Sequence, residues 1–258
     1  MTPKTSQKRK KSALSVVDAK AAVDLATAQT YSENVFLFVP NIIGYLRVIL
    51  AAVSLHYMSY HPIYSSILYG ISSILDVADG YAARALNQSS KFGAVLDMVT
   101  DRCATSCLLC YLASAYPTYA VLFQFLIALD FSSHYMHMYS SIITGSSSHK
   151  LVTSDVSRIL WLYYNDRRTL FLVCAGNELF YVALYLVKWI DTPITLLLHP
   201  STPSFLVGMT YQQLVAWLSA PVCILKNIIN LVQLWKASKI LVGVDLAERA
   251  KARKEKAS

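Results

Sequence analysis

Apolar residues run through this chain in six long blocks, approximately 35–58, 62–84, 92–115, 118–143, 169–190 and 212–242. A helix needs about 20 residues to cross the hydrocarbon of a bilayer, and every block is long enough. Short polar breaks, Tyr60 with His61 and Tyr116 with Pro117, read as tight turns. Pro193, Pro200 and Pro203 mark 192–211 as a connecting loop, and Pro40 and Pro221, inside apolar blocks, read as helix kinks. Residues 1–34 are polar and carry no signal-peptide pattern, yet Leu14, Val17, Ala21 and Leu25 recur near helical spacing, which predicts an interfacial helix. The alternating strands of an outer-membrane barrel are absent. The pattern therefore predicts an all-α polytopic membrane protein. A basic tail with an amphipathic juxtamembrane helix (1–34) precedes a domain of six transmembrane helices (35–243), and a second basic tail follows (244–258).

Composition strengthens this reading. Of 258 residues, 55% are hydrophobic and only 15% charged, against about 25% charged in soluble domains. Mean hydropathy is +0.43, too apolar for one soluble core. The net charge of +8 gathers at the ends, in Lys8, Arg9, Lys10 and Lys11, and in Arg249, Lys251, Arg253 and Lys254. Beside apolar blocks, such clusters point to tails facing anionic lipid and not to a nucleic-acid partner. Basic residues also fill the breaks after the second block (Arg84, Lys91) and the fourth (Lys150, Arg158, Arg167, Arg168), while the breaks after the first and third have none. The positive-inside rule then puts those loops and both termini in the cytosol. Five cysteines, Cys103, Cys107, Cys110, Cys174 and Cys223, all lie in apolar stretches and read as small buried hydrophobes.

Candidate chemistry comes from acids where acids are expensive. Asp76, Asp79, Asp97, Asp101, Asp130 and Glu178 fall inside or at the ends of apolar blocks, at about 2.5–3.5 kcal/mol each on insertion scales. Asp76 and Asp79 are three apart, with Gly80, Ala83 and Arg84 following; Gly93, Asp97 and Asp101 repeat every fourth residue on the next block. Each set shares one helix face. The two blocks are joined by a short break, so they pair antiparallel and the four aspartates oppose one another near the cytosolic side. Four carboxylates together repel unless cations join them. Oxygen donors without histidine or cysteine suit two divalent cations, Mg²⁺ or Mn²⁺, and such pairs activate phosphoryl groups. Arg84, at the mouth, is placed to contact a phosphate. The competing readings are helix-packing acids neutralised by Arg47, Arg102 and Lys226, a proton relay, or an acid-lined cation transporter.

The run Asp76, Asp79, Gly80, Ala83, Arg84, Gly93, Asp97, Asp101 resembles the signature D-x2-D-G-x2-A-R-x8-G-x3-D-x3-D of the CDP-alcohol phosphatidyltransferases at every position, spacer included. The resemblance implies a six-helix membrane core, a homodimer, a cytosolic site, and transfer of a substituted phosphate from a CDP-linked donor to an alcohol with release of CMP. It implies that Asp76, Asp79, Asp97 and Asp101 hold the metals, that Asp101 is also the general base, and that Gly80, Ala83, Arg84 and Gly93 shape the CDP site. Four further stretches, Pro40–Arg47, Leu129–Tyr139, Cys174–Phe180 and Asp245–Arg249, resemble the inositol-using branch of that family. They imply CDP-diacylglycerol as donor and myo-inositol as acceptor, with serine, glycerol phosphate or choline as alternative acceptors. Asn41 and Arg47 are expected to reach the donor phosphates. Ser133, His134, His137, Arg167 and Lys226 are candidates for the acceptor, set against plain helix packing or charge balance. Lys254 and Lys256, fifth and third from the last residue, resemble an endoplasmic-reticulum retrieval signal; a solvated basic tail is the other reading.

Overall fold

The computed structural model describes residues 22–25, 33–144, 166–193 and 208–257. Among the described residues six long helices follow one another: α1 (Val39–Tyr57), α2 (Pro62–Ala85), α3 (Lys91–Ala115), α4 (Ala120–Ile143), α5 (Arg167–Val187) and α6 (Tyr211–Ala257). Short 3-10 turns at Val35–Leu37 and Pro117–Tyr119 lead into α1 and α4. Of the proposed interfacial helix, residues 22–25 are helical; the rest of 1–32 and most of the 192–211 loop lie outside the described residues. The ends of that loop are pinned by a bridge between Pro193 and Thr210.

The chain ends its helices where its chemistry dictates. Pro62 opens α2 in the first turn, where its missing N–H costs nothing. Pro40 also sits in the first turn of α1, so the kink expected there is instead a helix start. At the end of α2, Asn87 takes a left-handed φ of 55° and the Gln88 amide donates to the Ala83 carbonyl, a Schellman-type stop that turns the chain back. Ser90 then caps α3 by accepting from the Gly93 amide at 2.9 Å. Asp166 caps α5 through the Arg168 and Thr169 amides and the Thr169 hydroxyl, and these bonds hold its carboxyl below the usual carboxylate range. α6 spans 47 residues, about 70 Å at 1.5 Å per residue, so it far outruns a hydrocarbon core of about 30 Å. The basic segment 244–257 is thus a continuation of the last helix.

Packing is inverted relative to a soluble protein. Arg47, Asn41, Asn230, Ser54 and Ser65 are among the most deeply buried side chains, while Trp217, Leu218, Val121 and Ile74 are each at least 70% exposed. Lipid tolerates that surface, and backbone and polar groups are satisfied between helices. Ser54 of α1 donates to the Ser65 carbonyl of α2, and Tyr185 of α5 donates to the Met58 carbonyl, both at 2.8 Å. Leu108, Leu109 and Leu112 of α3 pack with Tyr181 and Tyr185 of α5 in an apolar cluster towards the ends of α1 and α3. Polar groups gather at the opposite end. Cys103, Cys107 and Cys110, read from sequence as buried, lie instead on the exposed face of α3, where a small apolar side chain is equally at home against lipid. By length and apolarity, α1, α5 and α6 qualify as membrane spans. In α2, α3 and α4 the polar residues that build the interior dilute the hydropathy.

Candidate active site

Two antiparallel helix faces and one arginine make the centre of the site. Asp76 and Asp79 near the end of α2 face Asp97 and Asp101 near the start of α3, as their spacing requires. Arg47 of α1, 2% exposed, lies among all four. Its Nη1 reaches Asp79 and Asp97 at 2.6 Å each, and its Nη2 reaches Asp76 at 2.7 Å and Asp101 at 2.5 Å. The Ser72 hydroxyl donates to the Arg47 carbonyl at 3.1 Å and ties α1 to α2 beside the cluster. Sequence reasoning expected Arg47 at a donor phosphate; the structure places its terminal nitrogens on carboxylates, as the internal counter-ion of the array.

One guanidinium does not neutralise four carboxylates. Asp76, Asp97 and Asp101 each offer an oxygen within 4.8 Å of the others. That is an all-oxygen donor set of the kind Mg²⁺ or Mn²⁺ prefers. The residues therefore fit a divalent metal centre, with Asp79 the fourth carboxylate of the group.

The array borders two cavities, and Asp97 lines both. The smaller, about 160 Å³, is lined by Asn41, Asp79, Gly80, Ala83, Gly93 and Asp97, together with the α2–α3 turn residues Gln88, Ser89 and Ser90. Asn41 donates to the Val35 carbonyl at 2.6 Å, and a Cβ on Gly93 would stand 2.5 Å from the Asn41 Oδ1. Only a glycine lets α3 approach α1 this closely. The Gln88 side chain accepts from the Val39 amide at 2.9 Å and fastens the turn to α1. Arg84 is exposed and lies over Gly80, outside the lining.

On the other side, Arg47, Asp76, Asp97 and Asp101 border a cavity of about 930 Å³, within the range of about 300–1,000 Å³ usual for small-molecule sites. Arg102 links its parts: Nη2 is 3.7 Å from Asp101 and Nη1 is 2.9 Å from Asp130. Asp130 Oδ1 also accepts from Asn230 at 3.0 Å, and Lys226, 3% exposed, donates to the Asn230 Oδ1 at 2.5 Å. On a further wall Glu178 accepts from the Tyr69 hydroxyl at 2.6 Å and from the Thr105 hydroxyl at 2.8 Å. Ile74, Val77 and Phe171 line the same cavity and are exposed apolar side chains of α2 and α5.

The acceptor candidates divide. His134 and Lys226 line the large cavity. Ser133 is buried with its hydroxyl donating to the Asp130 carbonyl, and neither it nor His137 is among the lining residues. Arg167 opens α5, and its side chain lies outside the described residues. Tyr69, Asn177 and Asn230 were missed as site residues, because a lone tyrosine or asparagine in an apolar block carries no spacing signal. Gln88 and Ser89 were not singled out as site residues; the turn geometry brings them to the smaller cavity.

A family model described as CDP-alcohol phosphatidyltransferase matches residues 37–225. The chain is 51% identical over 226 residues to a Schizosaccharomyces pombe protein named CDP-diacylglycerol–inositol 3-phosphatidyltransferase, covering 86% of this chain and 95% of that protein. Proteins of the same name from Rattus norvegicus and Homo sapiens are 45% and 44% identical over 219 residues, in each case 85% of this chain and 98% of theirs. No solved structure matches.

Proposed function

The chain belongs to the CDP-alcohol phosphatidyltransferase family, and we propose that it transfers the phosphatidyl group of CDP-diacylglycerol to myo-inositol, forming phosphatidylinositol and CMP. One observation carries the chemistry. Asp79 and Asp97 line a small cavity walled by the signature glycines, and Asp76, Asp97 and Asp101 line a large one. Two cavities that share Asp97 let a donor and an acceptor meet at the carboxylates.

In this reading the smaller cavity takes the cytidine diphosphate end of the donor, held by Asn41, Gly80, Ala83 and Gly93, with Arg84 at its mouth. The acyl chains stay in lipid, against the exposed apolar side chains of α2 and α5. The acceptor enters the large cavity beside His134 and Lys226. A hydroxyl oxygen of inositol attacks the phosphorus that bears diacylglycerol, the bond from that phosphorus to the CMP oxygen breaks, and the hydroxyl proton passes to the Asp101 carboxylate. Arg47 and Arg102 flank Asp101 and orient it to accept that proton. Divalent cations, Mg²⁺ or Mn²⁺, held by Asp76, Asp79, Asp97 and Asp101, would supply positive charge to the leaving phosphate.

The same reading puts the site at the cytosolic face of the endoplasmic-reticulum membrane, with both termini cytosolic and the protein a homodimer. The basic end of α6 supports a cytosolic end for that helix.

CMP release from CDP-diacylglycerol by the protein in detergent, with an acceptor panel, tests the reaction. Release that depends on myo-inositol is expected; release that depends on serine, glycerol phosphate or choline instead would overturn the acceptor.

A further inference from the structure

We infer that Arg102 is a further catalytic residue: the Nε and Nη2 edge of its guanidinium holds the non-bridging oxygens of the phosphoryl group as it passes from CMP to the acceptor; this rests on the proposed reaction and on Asp101 as its base. His134 Nδ1 lies 2.8 Å from the Asp130 carbonyl, which can only accept, so Nδ1 carries the ring hydrogen. The other ring nitrogen, Nε2, lies 3.3 Å from Arg102 Nη1, and a guanidinium can only donate, so Nε2 accepts. Nη1 also donates to Asp130 Oδ1 at 2.9 Å. Both hydrogens of Nη1 are thus taken by residues of α4. Asp130 is itself fastened by the Asn230 amide of α6 at 3.0 Å, so one corner of the guanidinium is clamped.

The other edge is not engaged in this way. Nε is buried without a hydrogen-bond partner, and Nη2 lies 3.7 Å from Asp101 Oδ2, an ion pair beyond hydrogen-bond reach. Arg47 differs: its Nε also lacks a partner, but both of its terminal nitrogens are bound by the four aspartates. Nε and Nη2 of Arg102 sit side by side in the guanidinium plane, a fork spaced for two oxygens of one phosphate. Its position decides which phosphate. Arg102 and Asp101 line the same cavity, and the phosphorus under attack must lie next to the hydroxyl whose proton Asp101 takes. Asp101 is already bound through Oδ1 to Arg47, which leaves a phosphoryl oxygen as the partner for the fork. A buried donor left unmatched is costly, and a guanidinium fixed in advance stabilises the charge carried by those oxygens during transfer.

Arg102→Lys keeps the charge beside Asp130 and Asp101 and removes the fork. In the inositol-dependent CMP-release assay its kcat should fall about 10²–10³-fold, as on loss of an oxyanion donor. The KM of myo-inositol should stay within about threefold. A residue that only balances charge predicts near-normal turnover instead. The second probe is CDP-diacylglycerol with sulfur in place of one non-bridging oxygen on the phosphorus that bears diacylglycerol, each diastereomer assayed separately. Sulfur is a poor partner for a guanidinium, so one diastereomer should react about tenfold or more slowly with the unsubstituted protein. That slowing should persist when Mn²⁺ replaces Mg²⁺, because a softer cation relieves only a metal-bound oxygen. In Arg102→Lys it should shrink to within about threefold, since the contact is already lost. Undiminished kcat in Arg102→Lys, verified as folded by its melting temperature, would overturn the inference. So would a lower kcat with the slowing intact, or a raised inositol KM at unchanged kcat, which would give the fork to the acceptor. Absence of any slowing that survives Mn²⁺ in the unsubstituted protein would overturn it without a variant. Absence of inositol-dependent CMP release from the unsubstituted protein and the ordinary donor would instead overturn the reaction beneath it.

Discussion

Gly93→Ala is the smallest change that tests how the donor cavity is built. A Cβ at 93 would stand 2.5 Å from the Asn41 Oδ1 and 3.0 Å from the Ser90 Oγ, while ordinary contact begins near 3.4 Å. Neither neighbour is free to swing away. Asn41 is 1% exposed and its amide nitrogen is bonded to the Val35 carbonyl at 2.6 Å. Ser90 is the cap of α3. Relief therefore needs a broken bond or a shift of α3 against α1, and overpacking of this kind costs about 1–3 kcal/mol. Charged to donor binding, that is about 5- to 150-fold in an equilibrium constant. The assay varies CDP-diacylglycerol in mixed micelles at saturating myo-inositol and follows CMP, with melting in detergent alongside. We expect the donor KM to rise within that range and the inositol KM to move far less. Gly243→Ala is the control: nothing lies within 4 Å of a Cβ there, and alanine in an exposed helix gains about 1 kcal/mol over glycine. Donor KM, turnover and melting temperature all unchanged in Gly93→Ala would refute the packing argument.

Other outcomes follow from the same contacts. Arg47→Gln leaves the four aspartates without their shared guanidinium, a loss of about 3–5 kcal/mol by analogy with broken buried pairs; its melting temperature in chelator should fall well below that of the unsubstituted protein, and added Mg²⁺ or Mn²⁺ should recover part of the difference. Equal melting of the two proteins in chelator would contradict the counter-ion role. Tyr185→Phe removes the bond to the Met58 carbonyl between α5 and α1, and should cost about 1–3 kcal/mol of stability, read as a lower melting temperature, with both KM values unchanged. Chelation of divalent cations should stop CMP release by the unsubstituted protein, and re-addition should restore it.

The helices and the aspartate array were legible in the sequence for different reasons. Apolar blocks long enough to cross a bilayer located the six long helices among the described residues, and the block edges at 62, 115 and 143 match helix ends. α6 ran further than its apolar block because the Ala, Leu, Glu, Lys and Arg residues from Leu246 onwards are good helix formers once nucleated. Asp76, Asp79, Asp97 and Asp101 were visible through regular spacing and through the cost of acids in an apolar block. Arg47 was visible as a candidate but not in its role: only the crossing of α1 over α2 and α3 shows that it faces carboxylates. Tyr69, Asn177 and Asn230 had no signal of spacing or charge, and their part in the site comes from the way α2, α5 and α6 close around one cavity. The exposed cysteines were misread because inside and outside are equally apolar in a membrane helix.

The central claim is that Asp101 takes the proton as inositol enters the lipid. Purified protein with CDP-diacylglycerol and a divalent cation should move tritiated myo-inositol into a chloroform-soluble product, one inositol for each CMP released. Asp101→Asn, verified as folded by its melting temperature, should lose this by orders of magnitude. Undiminished incorporation by folded Asp101→Asn, or CMP released without inositol entering lipid, would contradict the account.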